Sequence, residues 1–204
     1  MHPNPVFRKT AEERNIEFAR ERAFGTLATG GVDGPLLSHI PFVLSDDARF
    51  VELHLVRSNP IVTLLKTPQN AVISITGGDS YVSPDWYDLA DQVPTWNYVA
   101  VHIRGTLSLL PQDHLHGVLE RLSATMETRL LPKEPWTSAK MNQQIYERMQ
   151  RQIVPVKLDI GKIDGTWKLS QNKSDEVRLN AAKGVAENRM GSETPKLSRL
   201  MKDA

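Results

Sequence analysis

The residues best equipped for chemistry fall into four stretches, and the first is Arg57-Ser-Asn-Pro60. Asn59 suits a helix N-cap and Pro60 the first helical position, so a short helix is expected to run to about Lys66. A helix start presents unpaired backbone N–H groups and the positive end of its dipole. A guanidinium (Arg57) and a hydroxyl (Ser58) directly upstream would make it a phosphate cradle. The same residues also describe an ordinary capped helix with a solvated arginine.

The second stretch runs from Tyr81 to Gly105. The chain has four Trp and four Tyr, and Tyr81, Trp86, Tyr87, Trp96 and Tyr98 crowd into it. Such rings are costly to bury unless the N–H or O–H finds a partner, and Pro84 and Pro94 stiffen the loop that carries them. Either a packing lid or the wall of a site for a flat ligand fits. From Trp96 the text alternates as a strand: Val99, Val101 and Ile103 point one way, and Tyr98, Ala100, His102 and Arg104 the other. A dimer interface without any ligand fits that pattern equally well.

Ser38 and His39 form the third. They lie on a strand interrupted by Pro41, which cannot donate to the ladder and so argues for an edge or a bulge. The fourth is Trp167-Lys-Leu-Ser-Gln-Asn172, where alternation puts Lys168, Ser170 and Asn172 on one face, and Gln171 and Asn172 offer both donor and acceptor to a heterocycle edge. A helix N-cap spanning Ser170 to Ser174 is the competing reading.

Much other chemistry is set aside. The absence of cysteine removes disulfides, thiolate nucleophiles and Cys-based metal sites. No acid is placed to complete a triad with Ser38 and His39, and Gly-x-Ser-x-Gly is missing, so no catalytic residue is assigned. His114 and His116 diverge on a helix, and neither His-Glu-x-x-His nor a nucleotide fingerprint occurs, so no metal is expected. Twenty-five basic residues balance twenty-four acidic ones, which advertises neither nucleic acid nor membrane as a partner. With no signal-like N-terminus and no long apolar span, a cytoplasmic protein is expected.

The elements that must carry these groups are mostly strands. Thr10-Ala-Glu-Glu13 opens an N-terminal helix to about Arg22. Strands follow at 24–29, 36–44, about 50–56 and 71–76, joined by turns too short for crossover helices, which argues against a doubly wound α/β sheet. Helices are expected at about 112–129 and 138–150, a strand at 153–160, a turn near Gly165, and a polar helix at 174–188. The expected architecture is mainly β with peripheral helices (α+β), a closed or split β-barrel. Residues 1–190 form the domain, with the N-terminal helix and the helical insert 112–150; residues 191–204 are expected to be a mobile C-terminal tail.

Taken together, Ser38-His-Ile-Pro-Phe42, His54 with Asn59-Pro60, Tyr81-Val-Ser-x-x-Trp-Tyr87, Val93-Pro-Thr-Trp-Asn-Tyr98 with Val101-His102, and Lys168-Leu-Ser-Gln-Asn172 resemble the PaiB-type negative transcriptional regulators of the FMN-binding split-barrel superfamily. The resemblance covers residues 5 to 190. It implies a six-stranded split barrel that forms a homodimer with FMN at the subunit interface. It maps the phosphate onto Ser38, His39, Arg57, Ser58 and Asn59. The ring falls on Trp86, Trp96, Asn97, Tyr98 and, from the C-terminal strand or the partner chain, Gln171 and Asn172. It implies a regulator, with DNA contact expected to be weak or indirect because the charge is near neutral and no helix-turn-helix is evident. The alternative is a flavin-dependent oxidoreductase, a flavin reductase or haem-degrading split-barrel enzyme, with His102 and Tyr98 as proton donors.

Overall fold

The computed structural model describes all 204 residues. In chain order the elements are α1 (Glu12–Arg22), β1 (Phe24–Thr29), β2 (Leu36–Pro41), β3 (Val43–Leu44), β4 (Phe50–Val56), α2 (Pro60–Leu64), β5 (Gln69–Val82), β6 (Thr95–Leu109), α3 (Leu115–Glu127), α4 (Gln143–Gln150), β7 (Ile153–Lys168), α5 (Asp175–Asn188), β8 (Gly191–Ser192) and α6 (Thr194–Lys202). The strands order as β2-β1-β5-β6-β7-β4-β3, with β8 on β5. The β1–β2, β1–β5, β3–β4, β4–β7 and β5–β8 pairs are antiparallel. The path is longer than the six strands expected because the 36–44 stretch breaks in two: Phe42 leaves the ladder, donates its N–H to Ala23 O at 3.0 Å, and is fully buried. As a proline in a strand requires, Pro41 ends the edge strand β2.

Two compact units make up the chain: residues 1–15, 75–102 and 164–204, and residues 16–74 and 103–163. In the second unit, alternation on β1, β4, β5 and β6 buries Leu27, Leu53, Ile73, Ile103 and Leu107, while α3 contributes Leu115, Val118 and Leu122. Each such side chain contributes roughly 1.5–3 kcal/mol when fully buried. The C-terminal carbonyls of α1 are capped from a distance: Arg129 donates to Arg20 O and Glu21 O, both at 2.7 Å.

In the first unit, Val82, Tyr87, Val99, Val101 and Trp167 pack with Ala181, Ala182 and Val185 of α5 and with Leu197 and Met201 of α6. The expected mobile tail is therefore folded. Leu197 and Met201 are four residues apart, meet on one helical face and are fully buried, and Ser198 donates to Ala182 O at 2.7 Å. Two glycines, Gly78 and the expected turn residue Gly165, are close-approach sites. A Cβ on Gly78 would lie 3.2 Å from Leu197 Cβ, so β5 runs through Gly77-Gly78 to Val82 rather than stopping at Thr76. At Gly165 a Cβ would sit 2.1 Å from Asn15 Oδ1, so no turn forms there and β7 continues to Lys168. Asn15, itself buried, accepts from Trp167 Nε1 at 2.8 Å, and Arg14 lies 4.3 Å from that indole's centroid.

Candidate functional site

Within the second unit, Ser38, His39 and Asn59 are tied to neighbouring strands and to α2. Asn59 caps α2, its Oδ1 accepting from Ile61 N at 3.0 Å, and its Nδ2 donates to Ser38 Oγ at 3.2 Å. His39, paired with Thr26 in the β1–β2 register, places Nδ1 3.0 Å from Thr26 Oγ1, which leaves Nε2 outward. Ser58 is exposed. Arg57 turns elsewhere: its Nε donates to Arg151 O, and its Nη2 to Gln112 Oε1 and Ile153 O. The helix start offers less to an anion than its sequence suggests. Pro60 has no N–H, and the N–H groups of Ile61 and Val62 are both taken by Asn59. A phosphate here would rest on the Ser38 and Ser58 hydroxyls; His39, the next residue of β2, projects from the opposite face of the strand.

Within the first unit the residues assigned to the ring divide by strand face. Trp96 is half exposed and meets Tyr81 edge-on at 6.4 Å between centroids. Tyr98 follows on the same face of β6. Asn97 points the opposite way and is 1% exposed. Trp86 packs over α5, where a Cβ on Gly184 would come within 2.4 Å of its ring. Gln171 is spent on its own turn, accepting from Leu169 N at 2.8 Å and donating to Trp167 O. A planar ligand on the Trp96–Tyr98 face of β6 therefore does not also reach Asn97.

Asn97 belongs to a cavity of about 230 Å³ bordered by Tyr87, Thr95, Lys168, Ser170, Asn172 and Lys173 among others. Its Nδ2 donates to Ser170 Oγ at 2.8 Å, which lies 3.4 Å from Tyr87 Oη. Its Oδ1 is buried without a protein partner. Beyond Lys168 the strand ends, and Ser170 adopts the left-handed region at φ 63°. The alternation expected for Lys168, Ser170 and Asn172 is thus broken, yet all three line the same space. Burial holds the Lys168 ammonium below the usual lysine pKa. Tyr87, Lys173 and the N-terminal Asn4 and Phe7 also border the cavity. Nothing in the sequence marks Asn4 and Phe7 for it: the N-terminal segment is distant in the chain and carries no periodic pattern.

No group of three or more His, Asp or Glu side chains converges on a metal-sized space. No helix is long and apolar enough to cross a membrane.

Comparison with known proteins adds the family. The family described as "Putative FMN-binding domain" matches residues 1–162. The chain is 28% identical to "Protease synthase and sporulation protein PAI 2" of Bacillus subtilis, over 100% of this chain and 97% of that one. Among solved structures, the FAD and heme binding protein from Mycobacterium smegmatis aligns with a TM-score of 0.59 at 17% identity, covering 91% of this chain and 82% of that one. The flavocytochrome Anf3 from Azotobacter vinelandii aligns at 0.56 with 10% identity, covering 82% and 72%. At such identities these two likenesses establish the antiparallel fold with helices and nothing finer. The polar cluster at Ser38 and Asn59, and a solvent-facing tryptophan beside tyrosines, are groups that suit a phosphorylated planar cofactor. The chain belongs to the FMN-binding family of PaiB-type proteins, and FMN is its cofactor.

Proposed function

We propose that this chain is a PaiB-like negative transcriptional regulator, a cytoplasmic homodimer that holds FMN at its subunit interface. The full-length likeness to the Bacillus PAI 2 protein carries the reading. The phosphate end is assigned to Ser38, Ser58 and Asn59, with His39 left on the opposite face of β2 and Arg57 a secondary contributor because three of its five N–H donors are already engaged. The ring is assigned to Trp96 and Tyr98, with Trp86 nearby and Asn172 as a contact from a second copy; Gln171, whose amide is spent on its own turn, is left out. Exposed apolar side chains support an interface: Phe24, Leu37 and Val56, each more than half exposed, stand on the strands of the second unit. When bound, the flavin supplies the redox chemistry, and the protein's part is to orient and enclose it. DNA contact is weak or indirect in this reading, in keeping with a net charge of +1.

A second reading, a flavin-dependent oxidoreductase, draws on one observation: Tyr98 and His102 share the Trp96 face of β6, where each could hold a proton. NADH oxidation with added FMN separates the two, and turnover above background would favour the enzyme. For the phosphate assignment the test is Asn59→Asp. Aspartate caps a helix as well as asparagine does, so the fold is kept while a negative charge and the loss of a donor meet the phosphate. FMN affinity, read by quenching of flavin fluorescence, should fall by about 1–3 kcal/mol. Unchanged affinity would move the phosphate away from α2.

A further inference from the structure

The cavity behind β6 has a character that a flavin ring does not explain. Its roughly 230 Å³ falls below the about 300–1,000 Å³ of pockets that enclose a drug-sized ligand. Two lysines, Lys168 and Lys173, line it, and none of its lining residues is acidic. Both ammonium groups rest on neutral partners. Lys168 Nζ donates to Thr95 Oγ1 and to Trp96 O and lies 5.9 Å from the Phe7 ring. Lys173 Nζ donates to Gln92 Oε1 and lies 5.3 Å from the Tyr87 ring. The acidic side chains of the neighbouring turn, Asp85, Asp88 and Asp91, border a different pocket. Beside this uncompensated charge sits the Asn97 amide, 99% buried, with one polar atom lacking a protein partner. Exchanging the amide's oxygen and nitrogen would only transfer the deficit: Ser170 Oγ can donate to an oxygen, but Met201 Sδ, now 3.5 Å from Nδ2, cannot.

Two cations that line one small space without counter-charges repel each other at a cost, which an anion between them offsets. A buried amide left with one unmade hydrogen bond costs about 1–3 kcal/mol until something supplies it. Asn97 and both lysines line one small space, and one ligand could serve them together: an anionic head for the lysines and an adjoining hydroxyl or amide for Asn97. From this we infer that the Asn97–Lys168–Lys173 cavity is a binding site for the phosphate or carboxylate group of a small molecule. The inference does not depend on where the flavin ring lies. The anion has two possible sources, a separate small metabolite or the phosphate of FMN itself.

The test uses the full-length protein, with and without FMN, and inorganic phosphate and succinate as probes at constant ionic strength in chloride. Binding is read as the rise in unfolding temperature and by calorimetric titration. Either probe should bind saturably and stabilise the protein above the chloride control. Lys173→Met should weaken that binding at least tenfold, and so should Lys168→Met. Lys173 is the cleaner variant, because Lys168 also ties Thr95 to the backbone of Trp96. If the probe binds the FMN-loaded protein without displacing flavin, the site serves a separate anion. If probe and FMN compete, and Lys173→Met weakens FMN but not riboflavin, the anion is the flavin's own phosphate and the α2 assignment above is replaced. Absence of saturable binding by both probes, or equal binding by wild type and both lysine variants, overturns the inference. FMN retention, measured in the same samples by absorbance, stands or falls separately.

Discussion

Replacing Asn97 with leucine puts the reading of this residue at risk in a way few substitutions do. Leucine keeps the branched shape of asparagine but has no polar atoms. Two terms oppose each other. Losing the 2.8 Å bond to Ser170 costs about 0.5–1.5 kcal/mol, and the Ser170 hydroxyl keeps Tyr87 Oη at 3.4 Å as an alternative partner. Removing a buried, unpartnered carbonyl returns about 1–3 kcal/mol. The balance for Asn97→Leu lies between about −0.5 and +2.5 kcal/mol of added stability in ligand-free protein, or a rise of up to roughly 10 °C for a chain of this size. An ordinary buried asparagine with its bonds made would instead lose stability on the same change. Ser170→Ala is the matched control: it strips Asn97 Nδ2 of its oxygen partner and should cost about 1–3 kcal/mol. Urea unfolding followed by fluorescence and by circular dichroism gives both numbers. A loss above about 2 kcal/mol for Asn97→Leu would refute the argument, since the amide would then be fully satisfied in the native state.

Other consequences are as specific. Gly165→Ala places a Cβ 2.1 Å from Asn15 Oδ1, so either β7 shifts or Asn15 releases the Trp167 indole N–H. Overpacking and an orphaned buried donor together predict a loss of about 2–4 kcal/mol in urea unfolding, and a loss under about 1 kcal/mol would mean the glycine is not there for close approach. His54 is held below its ordinary pKa of 6.5 by burial, and its Nδ1 has no partner. The unfolded chain therefore binds a proton at higher pH than the folded one does. Stability from neutral His54 is fully present above about pH 6.5 and is lost as pH falls through the lowered folded value. Unfolding temperature should decline between pH 7 and 5 in the wild type and less steeply in His54→Phe; parallel profiles would exonerate His54.

Much of the architecture was legible because it rests on local rules. The alternation of Val99, Val101 and Ile103, the Asn59-Pro60 cap and the edge position of Pro41 are each decided within a few residues. Misreadings arose where distant chain decides. Gly165 reads as a turn, but it is the place where Asn15 approaches a strand. The tail read as mobile because Leu197 and Met201 are few, although their spacing is that of a helix seam. At the site, residue types were easier to find than directions. Trp96, Asn97 and Tyr98 are adjacent in the motif, yet a strand sends Asn97 to the opposite side. Arg57 stands beside a helix start, but the carbonyls of residues 151 and 153 and the Gln112 side chain, far along the chain, claim three of its five N–H donors.

In the proposed function two copies of this chain hold FMN between them. Purified protein saturated with FMN, freed of excess and passed over a sizing column with light-scattering and absorbance detection, tests it in one run. The account predicts a peak of twice the chain mass carrying about one flavin per chain. A peak of single-chain mass, or a dimer that sheds all its flavin, would contradict it.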